Sequence, residues 1–157
     1  MLWNDKYRVE TARKVGWDYS SASWYFVTVC EVSRAPVFGE LQGEDEAAHV
    51  ELSPLGLCVA RQWKLMREKY PDVVLDVSQV MPDHFHALFW LDGTPLGKII
   101  NRFKGRVTNE NNEKDYASFQ WQERFHDEII QTQARFDQVR GYILDNPRRM
   151  AERLRQT

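Results

Sequence analysis

The sequence predicts an α+β fold, in which a central antiparallel sheet of four to five strands carries helices on one face. Segments rich in aromatic and β-branched residues alternate with amphipathic ones in the order strand, helix, strand, strand, helix, strand, helix. Paired strands mixed with helices give one sheet covered by a helical layer. The order up to the fourth strand matches the split βαβ, ferredoxin-like arrangement, in which the first and third strands are central.

The first half of the chain is predicted to supply one strand and one helix. Residues 24–30 are aromatic and β-branched on both faces, which favours a central strand. Residues 33–51 contain proline, glycine and acidic residues, so we expect a long surface connection with a short hairpin near residues 37–38. Ser53-Pro54 combines an N-cap serine with proline at the first helical position, and apolar residues at helical spacing extend this helix to about residue 69.

The second half of the chain is predicted to contain two paired strands, a fourth strand and two further helices. A Met-Pro-Asp turn separates the paired strands, and Thr94-Pro95 repeats the start signal of the first helix. Residues 119–125 alternate between apolar and polar side chains, which indicates the fourth strand. The other predicted segments are strands over 73–80 and 80–91, a helix from 95 along an apolar stripe that ends at Val107, a mobile polar loop over 109–114, and a helix over 133–146 that ends before Pro147.

Length and composition favour a single cytoplasmic domain without a membrane anchor. The 157 residues fit one domain over 1–157, with residues 1–20 as an N-terminal arm. We find no apolar run long enough to span a membrane and no apolar core of a signal peptide. Cys30 and Cys58 are far apart among apolar residues, so we expect buried thiols in a reducing compartment.

The charged residues are unevenly distributed along the chain. The net charge of −2 argues against a general nucleic-acid binder, which is usually basic. Acidic residues concentrate between positions 40 and 51, whereas basic residues cluster over 98–106 and over 148–155. A basic cluster is either a solvated face or a phosphate-binding surface, and the sequence leaves both interpretations open.

Two histidines share one face of the strand predicted for residues 80–91. Because side chains alternate along a strand, His84 and His86 point the same way, with α-carbons about 6.5–7 Å apart. Their ring nitrogens can therefore converge on one cation, and a strand is a rigid mount for such a pair. The alternative is a hydrogen-bonded, inert pair, since a metal site requires further ligands.

A second pair of candidate residues lies on the last predicted helix. Tyr142 and Asn146 are four positions apart and therefore neighbours on one helix face. The asparagine side chain offers an oxygen that can join two imidazoles around a divalent ion. The tyrosine is a possible nucleophile if its acceptor is activated. The simpler alternative is a packing tyrosine and an asparagine that ends the helix before proline.

The motifs that carry a family resemblance run in order from about residue 17 to residue 149. The most specific combination is Met81-Pro82-Asp83-His84-Phe85-His86 followed by Tyr142-Ile143-Leu144-Asp145-Asn146-Pro147. Further matching segments are Asp18-Tyr19-Ser20, Tyr25-Phe26-Val27-Thr28, Phe103-Lys104, Trp121-Gln122, Phe125-His126-Asp127 and Ile129-Ile130. With these motifs the chain resembles the HUH-superfamily single-tyrosine transposases, and within them the REP-associated tyrosine transposases of bacteria.

The resemblance implies an HUH nuclease fold, a metal site and a nucleophile. His84, His86 and Asn146 would bind Mg²⁺ or Mn²⁺, and Tyr142 would attack a phosphodiester of single-stranded DNA. The products would be a 5′-phosphotyrosine link and a free 3′-hydroxyl. The implied partner is single-stranded or hairpin DNA, and relatives include monomers and dimers that exchange the tyrosine helix. Relatives often have asparagine at position 83; we expect the added charge of Asp83 to be tolerated.

Several residues are candidates for binding this DNA. Trp121 can stack on a base, although packing in the core is an equal alternative. His126 and Asp127 match the family pattern, but the sequence assigns them no role. Basic side chains would contact the phosphate backbone in a salt-sensitive manner that does not depend on base sequence. The candidates for this role are Lys98, Arg102, Lys104 and Arg124.

Two other functions stay open at this point. The chain can be a domesticated relative that binds DNA hairpins without catalysis, or a metal-dependent phosphoesterase in which water replaces Tyr142 as the nucleophile. The retained set of two histidines, tyrosine and asparagine favours the strand-transfer enzyme over the first alternative, because a protein without catalysis has no chemical reason to keep all four.

Overall fold

The computed structural model describes residues 9–10, 17–19 and 22–156 of the chain. Apart from 9–10 and 17–19, the predicted N-terminal arm over 1–20 lies outside the described residues. A short 3₁₀ helix (Asp45–Ala47) adds to the regular elements. Those elements are β1 (Val9–Glu10), β2 (Ser23–Cys30), β3 (Gly39–Gln42), β4 (His49–Leu52), α1 (Pro54–Lys69), β5 (Val74–Val80), β6 (His84–Leu91), α2 (Leu96–Lys114), β7 (His126–Ile130) and α3 (Gln133–Arg155).

The main sheet has the strand order β1-β7-β2-β6-β5, and all of its pairs are antiparallel. The four strands β7-β2-β6-β5 reproduce the ferredoxin-like order, with β2 and β6 inside the sheet. A separate hairpin pairs β3 with β4, slightly later in the chain than predicted. The predicted α+β class with an antiparallel sheet is therefore confirmed, and the strand that carries both histidines is central.

Helices cover both faces of the sheet, which corrects the prediction of helices on one face. Helices α1 and α2 pack on the face of Val27, Phe85 and Phe89, where the Trp63 ring lies 4.9 Å from the Phe89 ring. Helix α3 packs on the opposite face, where Val139 and Ile143 contact Leu88 and Ile130 in a smaller core. This second core forms because β6 and β7 also carry apolar side chains on their other face.

The polar segment over 109–114 belongs to α2, so the predicted mobile loop is wrong. The Asn111 side chain is buried, and its amide donates to the carbonyl of Ala117 at 2.8 Å and accepts from the amide of Ala117 at 3.2 Å. Glu110 forms an ion pair with Arg61 and accepts a hydrogen bond from Gln62 at 2.8 Å. These contacts tie the last turns of α2 to the fold in spite of their polar composition.

The fourth strand is β7 rather than the predicted segment over 119–125. Trp121 forms one isolated bridge with Glu31, and its ring packs 5.2 Å from the ring of Phe38. The alternation over 119–125 therefore comes from aromatic side chains that pack an irregular segment against the core. The sequence pattern did not reveal β7 because two of its buried residues, Asp127 and Glu128, are charged, and charged residues are seldom buried.

Helix α3 continues to Arg155, although it was predicted to end before Pro147. Proline cannot donate the helical hydrogen bond and usually ends or bends a helix. Here Pro147 and Ala151 are both buried, and Arg155 pairs with Asp45 at 3.1 Å. Tertiary contacts therefore hold the second half of the helix in place.

None of the helices among the described residues is both long enough and apolar enough to span a membrane.

Candidate functional site

A cleft of about 690 Å³ opens between α3 and the face of the sheet that α3 covers. It contains all four residues predicted for the chemistry, His84, His86, Tyr142 and Asn146. The lining is completed by aromatic, hydroxyl and amide side chains and by four arginines. Its other members are Phe26, Thr28, Arg34, His126, Arg135, Gln138, Val139, Arg149 and Arg153.

The two histidines point their Nε2 atoms at each other across 3.1 Å. His84 Nδ1 lies 2.6 Å from Asp83 Oδ1, and because a carboxylate can only accept, this nitrogen donates. His86 Nδ1 lies 2.8 Å from the hydroxyl of Thr28, which stands directly opposite on β2 and can donate or accept. Both Nδ1 atoms are therefore engaged. With its hydrogen on Nδ1, a neutral His84 can only accept at Nε2, so the 3.1 Å contact is a hydrogen bond that His86 Nε2 donates.

The environment keeps both imidazoles neutral, which is the form that binds metals. Burial lowers the pKa of His86 to about 3, and the neighbouring His84 adds to this effect. Burial also lowers the pKa of His84, although the hydrogen bond to Asp83 opposes the change. For Asp83, burial alone would raise the pKa, but hydrogen bonds from Arg34 and His84 outweigh burial and lower it. The Asp83–His84 contact is thus a hydrogen bond between a carboxylate and a neutral imidazole.

Helix α3 places Tyr142 and Asn146 beside the histidines. The Tyr142 ring lies 5.6 Å from the His86 ring and 6.2 Å from the Phe26 ring, and 36% of the residue is exposed. Asn146 is only 1% exposed, and its Nδ2 atom has no hydrogen-bond partner among the described residues. A buried amide nitrogen without an acceptor normally implies a bound water or an acceptor atom of a ligand nearby, whereas a cation would bind the side-chain oxygen.

The side chains present fit a divalent metal ion only if the amide takes part. No group of three or more His, Cys, Asp or Glu side chains suited to a metal was found in the described part of the chain. Two imidazole nitrogens and an amide oxygen are a mixed donor set; imidazole suits transition metals and amide oxygen suits Mg²⁺ and Mn²⁺. The set fits Mn²⁺ well, and fits Mg²⁺ when water and substrate oxygens complete its shell.

A buried ion pair fixes the start of α3 against the sheet. Glu128, 1% exposed on β7, accepts from Arg135 Nε at 2.7 Å and from Arg135 Nη2 at 2.7 Å. Thr132 caps the helix by accepting from the backbone amide of Arg135 at 3.1 Å. The orientation of α3, and with it the place of Tyr142, depends on these contacts.

The five residues predicted to bind DNA do not line this cleft. Lys98 and Arg102 are exposed on α2, across the sheet from the histidines, and Arg124 is exposed in the segment before β7. The Lys104 ammonium donates to two backbone carbonyls, at 2.8 and 3.2 Å. Trp121 is 7% exposed in the core, and its indole donates to the carbonyl of Lys104 at 3.3 Å.

Two arginines of the cleft come from the basic cluster over 148–155, for which the sequence left a phosphate-binding role open. Arg149 and Arg153 continue the helical spacing of Tyr142 and Asn146, but the helix was predicted to end before Pro147, so the sequence did not join them to the site. Arg34 and Arg135 gave no such signal, because a turn and a buried ion pair bring them to the cleft.

The two matched residues at the start of β7 point to different faces. His126 stands opposite Thr28 and lines the cleft. Asp127, the next residue along the strand, is buried on the opposite face, because side chains alternate. Only His126 therefore belongs to the lining of the candidate site.

The chain is similar to known proteins in sequence and in fold. The family model described as "Transposase IS200 like" matches residues 62–146. An uncharacterized protein of Haemophilus influenzae is 25% identical over 154 residues, with 83% of each chain covered. A REP-associated tyrosine transposase, solved bound to a REP hairpin, has a TM-score of 0.63 at 15% identity, covering 87% of this chain and 73% of its own. A putative transposase of Deinococcus radiodurans has a TM-score of 0.51 at 14% identity, covering 85% and 96%. The last two likenesses concern the fold.

We predict that Arg135→Gln lowers the free energy of unfolding by about 3 kcal/mol, because it leaves the buried Glu128 carboxylate without its guanidinium. The matched control is Arg140→Gln, which removes a more exposed pair with Asp76 and should cost less than about 1 kcal/mol. Urea denaturation followed by circular dichroism measures both. Equal losses in the two variants would show that the Glu128–Arg135 pair does not anchor α3.

Proposed function

The chain belongs to the IS200-like transposase family, and from this premise we propose that it cleaves single-stranded DNA and transfers the strand through a covalent link to Tyr142. The observation that carries the proposal is the meeting of four groups in one cleft. The Tyr142 ring lies 5.6 Å from the His86 ring, next to paired Nε2 atoms and the buried Asn146 amide. An inert packing tyrosine would not need these neighbours.

His84, His86 and Asn146 would hold the divalent ion in this proposal. When bound, Mg²⁺ or Mn²⁺ acts as a Lewis acid that polarises a phosphate oxygen of the DNA. The protein contributes neutral imidazoles, whose orientation is set by Asp83 and Thr28. It also contributes the Asn146 amide, which is only 1% exposed and therefore gives up little hydration when its oxygen binds the ion.

Tyr142 would supply the nucleophile. Its phenolic oxygen forms a bond to phosphorus while the bond from phosphorus to the 3′-oxygen breaks; the phenol loses its proton and the 3′-oxygen gains one. The products are a 5′-phosphotyrosine and a free 3′-hydroxyl. Because a phenolate is also a good leaving group, a second 3′-hydroxyl can reverse the step without an external energy source. The guanidinium of Arg149 lies 5.6 Å from the ring centre and holds the ring by a cation–π contact.

The reacting strand would run along α3. Arg149 and Arg153 lie one helical turn apart on the cleft side of this helix. Arg149 shares its guanidinium with Asp145 at 3.2 Å, whereas no ion pair of Arg153 occurs in the part of the chain that the structure describes. Arg153 is therefore the cleft arginine best placed to bind a phosphate, in a role that is sensitive to salt.

The DNA substrate in this proposal is a hairpin or palindromic repeat with a single-stranded flank. Its support is the REP hairpin bound to the structural neighbour. Lys98, Arg102 and Arg124 are exposed and stay candidates for the parts of such DNA outside the cleft. Lys104 and Trp121 are less suited, because the first would have to give up two hydrogen bonds and the second its place in the core.

A single chain would suffice for the chemistry. All four chemical groups come from β6 and α3 of the same molecule, and the end of α3 pairs with the same chain through Arg155 and Asp45. We therefore propose a functional monomer over a homodimer that exchanges helices.

We predict that wild-type protein with a single-stranded hairpin substrate and Mn²⁺ forms a covalent adduct on Tyr142. A denaturing gel should show the shifted band, and peptide mapping should place the nucleotide on this residue. Tyr142→Phe removes only the hydroxyl, so it should bind DNA and form no adduct. Tyr70→Phe, outside the cleft, is the matched control and should behave as wild type. Cleavage by Tyr142→Phe at the wild-type rate would mean that water is the nucleophile and that the protein is a phosphoesterase.

We predict that Arg153→Gln flattens the dependence of log affinity on log salt by about 0.7, which is the effect of one lost phosphate contact on a single strand. Arg140→Gln, on the same helix but outside the cleft, should leave the slope unchanged. Fluorescence anisotropy of a labelled oligonucleotide at several salt concentrations gives the slopes.

The same titration with Lys98→Gln and Arg102→Gln tests the path outside the cleft. A flatter slope in these variants would extend the DNA path over α2. An unchanged slope in Arg153→Gln would contradict the proposed path along α3.

A further inference from the structure

The turn that follows β2 is held in an unusual conformation by one buried carboxylate. Glu31 Oε1 accepts hydrogen bonds from the Ser33 amide at 2.7 Å, the Ser33 hydroxyl at 2.8 Å and the Ala35 amide at 2.9 Å. The backbone amide of Glu31 donates to the carbonyl of Asp83 at 3.0 Å. Between these anchors Arg34 adopts a left-handed backbone with φ of 61°, which is uncommon for a residue other than glycine.

The turn delivers the guanidinium of Arg34 to the carboxylate beside the first histidine. Arg34 Nε donates to Asp83 Oδ2 at 2.9 Å, and His84 Nδ1 donates to Asp83 Oδ1 at 2.6 Å. Each carboxylate oxygen is thus engaged by one donor, so the carboxylate plane is fixed from both sides. The opposite ring nitrogen of His84 then points at His86 Nε2, 3.1 Å away.

We propose that Arg34 and Asp83 are positioning residues for His84: they hold its imidazole in the tautomer with hydrogen on Nδ1, and so present the Nε2 lone pair to the cleft. This inference rests on the proposed function, because it names what prepares the first metal ligand. A strained backbone at a functional site persists only where its surroundings impose it, and here Glu31 imposes it. A merely structural pair would pin the turn to β6 without any effect on the proton of His84.

The chain offers a closely matched control for loss of such a pair. Arg140 donates through Nε to Asp76 at 3.1 Å, with 47% of the arginine and 24% of the aspartate side chain exposed. The corresponding values for Arg34 and Asp83 are 53% and 21%. The two pairs therefore resemble each other in geometry and exposure, but only one of them touches a histidine of the cleft.

The first readout needs no metal. Long-range ¹H–¹⁵N spectra of the metal-free protein report the tautomer of each histidine. We expect His84 to be the Nδ1–H tautomer in the wild type and in Arg140→Gln, and a mixture in Arg34→Asn and Asp83→Ala. Asparagine is used at position 34 because it tolerates the left-handed backbone. Asp83→Asn keeps an acceptor for Nδ1 and should restore the single tautomer.

The second readout is Mn²⁺ affinity by isothermal titration calorimetry. Asp83→Ala should bind about tenfold more weakly than wild type, the lower end of the range for lost partners of metal ligands. Arg34→Asn, which acts through Asp83, should lose about two- to fivefold, and Arg140→Gln should lose nothing. Backbone ¹H–¹⁵N spectra confirm that each variant is folded.

The proposal is overturned if Arg34→Asn and Asp83→Ala keep the wild-type tautomer of His84. If Asp83→Ala does not fold, Arg34→Asn alone decides the matter: a mixture of tautomers supports the proposal and the wild-type tautomer overturns it. Failure of this inference is separable from failure of the proposed function. If both variants keep the wild-type tautomer of His84 and the wild-type protein still forms the Tyr142 adduct, only this inference is rejected. If the tautomers behave as expected but no adduct forms, only the strand-transfer chemistry is rejected.

Discussion

The site depends on the packing of α3 against the sheet face that carries the histidines. Val139 and Ile143 bury their side chains against Leu88 and Ile130, and this small apolar contact sets the height and rotation of the helix. Tyr142 and Asn146 flank this stripe and are carried into the cleft by it. Because His84 and His86 share the face of Leu88 on one strand, a change of one residue in register would turn both histidines away from the helix.

The electrostatics of the cleft differ from those of the whole chain. The net charge is −2, and five of the 23 acidic residues concentrate over positions 40–51, in the connection that contains the β3–β4 hairpin. The cleft itself gathers four arginines, and no carboxylate side chain is among the described residues that line it. Three of these arginines are balanced by Asp83, Glu128 and Asp145 just outside the lining. Each of these three pairs holds an arginine in place, and Arg153 is left without a carboxylate partner among the described residues.

The periods of strands and helices in the sequence correctly predicted which residues share a face. Alternation placed His84 and His86 together, and helical spacing placed Tyr142 beside Asn146. The patterns failed where tertiary contacts override them. Pro147 lies inside a helix because its surroundings are packed, and β7 is a strand although it contains two buried carboxylates. Arg34 reaches the cleft through a left-handed turn and Arg135 through a buried ion pair, neither of which a period of two or 3.6 reveals. Arg149 and Arg153 lie beyond the proline at which the helix was predicted to end. Basic residues on α2 were the more visible cluster, yet they lie across the sheet from the histidines.

In the proposed function, His84, His86, Asn146 and Tyr142 act on one phosphate with one divalent ion. A crystal structure of Tyr142→Phe with single-stranded hairpin DNA and Mn²⁺, with the metal located by anomalous scattering, would show whether these groups meet. We expect one Mn²⁺ peak in contact with both Nε2 atoms, the Asn146 side-chain oxygen and an oxygen of a phosphate that faces the ring at position 142. A Mn²⁺ peak that lacks these ligands, or DNA bound with no phosphate beside that ring, would mean that the four residues do not act together on one phosphate.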